Sequence, residues 1–227
     1  MTFPDLTDRS LFPPFLELPE DDGTQAQSGG DVVLLAQVKD NMTITKPTLV
    51  LTDRDGTGFA LVFDGLERDS LDLGKLGLKK GATAVIKGAR QTVPAQSGDD
   101  SLTAKAARRP FMRVALGQAH TVLAVPTGLE QTIAIAGKLR PRQEQAQKEG
   151  YQQCEACGAA GASTATTSGD TASSAGTTAA SPAKKLLKCT GCGQAWYCDR
   201  TCQTAGWSGG HKSECKALKA LTAIWAE

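Results

Sequence analysis

Seven cysteines, all beyond position 150, and one of only two histidines are the residues best suited to chemistry in this chain. They stand as Cys154 and Cys157 in "CEAC", then as Cys189, Cys192, Cys198, Cys202, His211 and Cys215 in "CTGCGQAWYCDRTCQTAGWSGGHKSEC". A lone C-x-x-C suits a thiol–disulfide couple, half of a metal site, or nothing at all. The redox couple belongs at a strand-to-helix turn of an α/β fold, and no such pattern surrounds Cys154. A disulfide framework fails on the odd count. Seven thiols and one imidazole complete two four-coordinate zinc sites with no cysteine left over. Two residues between cysteines make a tight chelating knuckle, and three residues within a helix put both ligands on one face. Spacing alone leaves the pairing open, either the first four ligands followed by the last four, or an interleaved set.

Ligand order narrows the family. Six cysteines, then histidine, then cysteine is not the order of RING, PHD or LIM modules. It resembles the MYND zinc finger, and the residues between the ligands agree: Tyr197–Cys198, Cys202–Gln203, Trp207 and "HKSEC" at 211–215. The HIT-type finger shares the order but has a shorter step from sixth cysteine to histidine and lacks the Gln and Trp. The resemblance implies interleaving: Cys154, Cys157, Cys198 and Cys202 on a first zinc, and Cys189, Cys192, His211 and Cys215 on a second. Both sites would be closed, hence structural. It also implies a protein-interaction module that binds proline-rich peptides through Thr190, Gln203 and Trp207. An indole face packs on proline, while Thr and Gln bond an extended peptide backbone. Plain core packing is the competing expectation for Trp207.

Two departures from the family pattern stand out. The spacer 158–188 between the second and third cysteine is far longer than usual, and "WSGGH" is one residue longer than the commonest Trp-to-His step. Tripling a flexible loop costs about 1 kcal/mol. Structural zinc contributes on the order of 10–16 kcal/mol. Closure therefore survives the insertion.

The elements that position these ligands come next. Over 227 residues the net charge is +1, with six acids against one base in 1–30, ten against thirteen in 31–126, and eight against eleven in 127–227. Residues 1–30 read as a disordered acidic, Pro-rich tail. From Asp31 the pattern turns to strands: "DVVLLAQV" with Val32, Leu34, Ala36 and Val38 on one face, and "TLVLTDRDGTGFALVFDG" as a hairpin about Asp55–Gly56. "ATAVIKGAR", "FMRVAL" and "HTVLAVP" follow. This order suits a small OB-like β-barrel over 31–126. Residues 127–150 read as a helix with Leu129, Ile133 and Ala136 on one face, interrupted at Pro141 and continued as a polar linker. Residues 151–227 are the finger, with a disordered Ala/Ser/Thr/Gly insert at 158–183 and a C-terminal helix carrying Cys215, Leu218, Leu221 and Trp225. The expected fold class is a mainly β N-terminal domain followed by a small zinc-stabilised finger.

Function follows from the same residues. The leading expectation is an adaptor or regulatory protein, with two structural Zn²⁺ ions and proteins bearing proline-rich motifs as partners. The alternative is nucleic-acid binding by the barrel, whose net charge is +3 from thirteen bases against ten acids. Single-strand binding needs exposed aromatics, however, and Phe59 and Phe63 alternate with Leu61 as core residues do. Seven thiolates and two Zn²⁺ also add −3, offsetting the lysines of the finger. No nucleophile–base pair or phosphate loop is readable, so the chain is expected not to be an enzyme. No signal peptide or membrane span is expected, which places the protein in the nucleus or cytoplasm. Residues 12–19, "FPPFLELP", approach the Pro-x-Leu-x-Pro type of peptide, which raises self-docking on the finger as an expectation beside simple packing on the barrel.

Overall fold

The computed structural model describes residues 3–21, 32–94, 109–163 and 184–226. It divides into two compact units, Asp5–Ala134 and, together, Met1–Pro4 with Ile135–Glu227.

The first unit is built on one curled sheet. Strands β1 (Val33–Asn41), β2 (Thr48–Asp53), β3 (Gly58–Phe63), β4 (Thr83–Lys87), β5 (Met112–Val114) and β6 (Val122–Val125) lie in the order β5-β3-β2-β1-β4-β6. All neighbours are antiparallel except β3 and β5. The β2–β3 hairpin turns at Gly56, whose φ of 83° only glycine adopts freely. The two edge strands are consecutive in the chain. If flat, six strands would hold them about 24 Å apart. The connection 115–121 contains a turn and the 3₁₀ helix Ala119–Thr121, so it is far from extended, and the sheet must curl to bring its edges together. Among the described residues β5 and β6 do not pair, and the sheet is an open half-barrel.

Alternation along the strands explains the core. Leu34, Ala36, Val38, Leu49, Leu51, Phe59, Leu61 and Phe63 all face inward. Phe59 and Phe63 are thus buried and unavailable for base stacking, and Phe111 is half-buried with Arg113 over its ring at 5.8 Å. His120, read as a strand residue, instead sits exposed in the 3₁₀ turn with Nδ1 at 3.0 Å from the Gly117 carbonyl.

The N-terminal segment corrects the expectation of a disordered tail. Phe12, Pro13, Pro14, Phe15 and Leu18 are buried. Phe15 stacks on Phe59 at 4.0 Å, and its N–H donates to the buried Asp53 carboxylate at 2.8 Å. Gln91 Nε2 donates to the Leu18 carbonyl at 2.7 Å. Of the residues that self-docking would have offered to the finger, Pro14 and Leu18 are consumed by this core, while Leu16 and Pro19 stay exposed. Burying a Phe or Leu contributes about 1.5–3 kcal/mol each, more than a shallow groove returns. Residues 22–31 lie outside the described residues.

Helix α1 (Leu129–Glu149) also departs from expectation. Its buried residues are Leu129, Thr132, Ile135, Ala136 and Leu139, with Ile133 only half-buried. Thr132 takes the place Ile133 was expected to hold because its hydroxyl lies 2.9 Å from Thr83 Oγ1. Pro141 removes one backbone donor but does not end the helix. Burial of Ile135, Ala136 and Leu139 just before it, and the Arg140–Glu144 ion pair at 3.0 Å across it, carry the helix onward. Residues from Ile135 belong to the second unit and are no linker.

The second unit holds strands β7 (Gln152–Gln153), β8 (Ala160–Ser163), β9 (Lys184–Lys188) and β10 (Trp196–Tyr197) in the order β10-β9-β8-β7. Ala160–Ser163, expected within a disordered insert, form a strand that pairs antiparallel with β7 and parallel with β9. A parallel pair needs a crossover of about a dozen residues or more, and 164–183 supply that length. The remainder of the expected insert, 164–183, lies outside the described residues. Helices α2 (Arg200–Gly206) and α3 (Lys212–Ile224) complete the unit, joined through Trp207–His211. Cys215, Ala217, Leu218, Leu221 and Ile224 bury one face of α3, while Trp225 lies just past its end with its ring 5.2 Å from Phe3. Among the described residues no helix is long and apolar enough to cross a membrane.

Candidate metal centre

Each Cys-x-x-Cys pair forms the same knuckle. The N–H of Gly158 donates to the Cys154 carbonyl at 2.8 Å, and that of Gly193 to the Cys189 carbonyl at 2.9 Å. Both glycines lie in the left-handed region, at φ 72° and 71°. Cys154 N–H donates onward to the Ala159 carbonyl and Cys189 N–H to that of Ala195. The local repeat is therefore C-x-x-C-G, and the glycine turns the chain back so that both thiols point the same way. That glycine was a signal in the sequence that spacing alone overlooked.

The other two chelating pairs come from helices. Cys198 precedes the Asp199 N-cap of α2 and Cys202 lies in its first turn. The Asp199 carboxylate accepts from the Cys202 N–H at 2.8 Å, which fixes the start of the helix and the aim of both thiols. His211 and Cys215 flank the start of α3. The extra residue of "WSGGH" is absorbed by a π-type turn: Lys212 N–H reaches back to the Trp207 carbonyl, with a break at Gly210. Trp207 and His211 stay in ring contact at 5.8 Å despite the longer step.

The tertiary structure gathers these pairs into two groups. Cys154, Cys157, Cys198 and Cys202 form one, Cys189, Cys192, His211 and Cys215 the other, and within each all ligand atoms lie within 4.8 Å of one another. Zinc–sulfur bonds of about 2.3 Å in a tetrahedron give sulfur–sulfur edges of about 3.8 Å and sulfur–nitrogen edges of about 3.6 Å. The observed separations are 3.6 Å for Cys157–Cys198 and 3.9 Å for Cys189–Cys215. From His211 Nε2 they are 3.5 Å to Cys192 and 3.3 Å to Cys189. Disulfides, at about 2.05 Å, are excluded. The donor set and its edges fit zinc. Four protein ligands per group leave no position for water or substrate, the mark of a structural site.

The electrostatics show what a dication must overcome and what helps it. Burial resists ionisation of Cys154, yet the N–H groups of Cys157, Ala156 and Cys198 outweigh it and bring its pKa down to about 6. Cys189 is lowered in the same way, against burial, by the N–H groups of Cys192 and Gly191. The remaining thiols then face a thiolate. Cys198 is pushed up to about 11, chiefly by its hydrogen bond with Cys157. Cys202 and Cys215 reach about 12 through burial and their anionic neighbours. Burial lowers the pKa of His211, keeping the imidazole neutral as a metal ligand requires. A bound Zn²⁺ would reverse the upward thiol shifts by supplying the missing positive charge.

Helix α1 braces both groups. Lys138 pairs with Glu214, beside Cys215, at 2.8 Å, and Arg142 pairs with Glu155, between Cys154 and Cys157. The two cations are four residues apart and so share a helix face. Nothing in the sequence marks this partnership, since the acids lie in other elements. Between the helices, Tyr197 is buried with its ring 6.1 Å from that of His211, and Gly206 makes room for it: a Cβ there would lie 2.5 Å from Tyr197 Cε1.

The residues expected to read a peptide flank the second group. Thr190 follows Cys189 and is exposed; Gln203 and Trp207 are exposed on successive turns, with Trp207 42% accessible. Residues 173–215 match the family model of the MYND finger. That match takes in six of the eight clustered residues, from Cys189 to Cys215, while Cys154 and Cys157 reach the first group from beyond the long spacer. The chain therefore carries a MYND finger, a zinc-binding protein-interaction domain.

Proposed function

We propose that this protein is an adaptor whose finger binds proline-rich segments of partner proteins at Thr190, Gln203 and Trp207, on a scaffold set by two zinc ions. Cys154, Cys157, Cys198 and Cys202 hold the first ion, and Cys189, Cys192, His211 and Cys215 the second. The observation that carries the reading is the exposed Gln203–Trp207 pair. Trp207 is not spent in the core, and its ring packs edge-on against His211 at 5.8 Å, so the ligand set holds it rigidly. A rigid, half-exposed indole beside an amide is suited to a proline and the extended backbone next to it. The role of the finger itself is binding, since four protein ligands in each group leave no open coordination position. The test is isothermal titration of the zinc-loaded protein with a Pro-x-Leu-x-Pro peptide. Trp207→Ala should abolish binding while zinc content and melting temperature stay unchanged. Unaltered affinity in that variant overturns the reading.

A further inference from the structure

The face of α2 that carries the peptide-binding pair also carries a cation to which that reading gives no role. Arg200, Gln203, Thr204 and Trp207 stand at i, i+3, i+4 and i+7, and all four are exposed. The opposite face is turned inward, with Cys202 in the first metal group and Gly206 against Tyr197. Arg200 has no ion-pair partner among the described residues. Its sequence neighbour Asp199 is already engaged, capping the helix through the Cys202 N–H at 2.8 Å. Thr204 is turned back onto the helix, its hydroxyl donating to the Arg200 carbonyl at 2.9 Å. The stripe thus has an aromatic platform at one end, an amide in the middle and an unpaired guanidinium at the other end.

We infer that Arg200 reads an acidic side chain of the partner, so that the segment recognised is a proline-rich peptide bearing Asp or Glu at a fixed distance from the proline on Trp207. This rests on the peptide-binding reading above. Seven residues of helix separate Arg200 from Trp207, an axial distance of about 10 Å. A polyproline II peptide advances about 3.1 Å per residue. The acid therefore stands three or four residues from the proline. A guanidinium suits the task because its planar fork binds a carboxylate through two parallel hydrogen bonds, and it stays charged at every physiological pH.

The experiment uses the full zinc-loaded chain and fluorescein-labelled peptides with one Pro-Ala-Leu-Ala-Pro core in Gly-Ser flanks. One peptide is neutral; others carry a single Glu or a single Lys three or four residues from a core proline, on either side. At low salt one Glu peptide should bind about two- to fivefold tighter than the neutral one, the scale of an exposed ion pair. The gain should vanish in high salt. Arg200→Ala should bring the Glu and neutral peptides to equal affinity, and Arg200→Glu should reverse the preference in favour of Lys. Equal affinities in the wild type at low salt overturn the inference and leave peptide binding standing. A Glu preference that survives Arg200→Ala overturns it as well, by placing the reader elsewhere. Failure of every peptide to bind defeats both readings.

Discussion

The two metal groups use nearly the same ligands in opposite surroundings. Cys189, Cys192, His211 and Cys215 are each under a tenth exposed, and the buried ring of Tyr197 lies edge-on to His211. In the first group only Cys154 is buried; Cys157 is exposed, and Cys198 and Cys202 are half-buried. The second group thus sits at the centre of the finger, joining a knuckle to the start of α3, while the first ties a peripheral knuckle to α2. Closely similar coordination chemistry can serve as a core in one place and a clip in another, because burial decides how much folded structure each ion holds together.

The largest expected effect separates these roles directly. Cys189→Ser should cost most of the stabilisation a structural zinc supplies, on the order of 10 kcal/mol. Metal analysis should return no more than one zinc, and tertiary circular dichroism of the finger should be lost. Cys157→Ser should weaken the first site while leaving one firmly held zinc and most of the tertiary signal. If both variants collapse alike, the contrast between core and clip is broken.

Acid should release the ion of the exposed first group before that of the buried second group. Binding zinc displaces the protons that Cys198, Cys202 and Cys215 hold up to about 11 or 12 without metal. The metal-free form therefore binds more protons, and zinc affinity falls as pH falls. Once pH drops below about 6 even Cys154 takes up a proton, and loss from the exposed group should steepen. A chromogenic chelator followed from neutral pH downward should show two steps, the first emptying the Cys154 group. A single step would deny the difference in exposure any consequence.

Gly206→Ala probes chiefly the sealed group. The added methyl meets Tyr197 at 2.5 Å and pushes it toward His211, an overpacking cost of about 1–3 kcal/mol. Thermal melts should show the loss, and chelator kinetics should quicken for the second zinc more than for the first. The smallest effect belongs to Asp199→Ala, which removes the α2 cap for about 1 kcal/mol. It should loosen the first group, since the capped N–H is that of Cys202. Faster loss of the second zinc instead would reassign what the cap supports.

Much of the finger was legible because zinc chemistry is local in its demands. Two thiols two residues apart chelate wherever the chain places them, so the ligand identities follow from residue type and spacing. The strands of the half-barrel were legible for a similar reason: Leu34, Ala36 and Val38, and Phe59, Leu61 and Phe63, repeat with the period of two that a one-sided sheet requires. The N-terminal segment misled because prolines and acids were read for composition. The few apolar side chains between them, Phe12, Phe15 and Leu18, outweigh that composition once a core is near enough to take them.

By itself, then, the sequence determined the eight clustered residues and the inward faces of the strands, since each depends on neighbours a few positions away. Only the tertiary structure decided which knuckle meets which helix. A Cys-x-x-Cys pair fills half of a tetrahedron and is indifferent to the source of the other half, so spacing carries no information about the choice. Tertiary structure also decided that α1 braces the finger through Lys138 and Arg142, because an ion pair forms wherever packing sets opposite charges side by side.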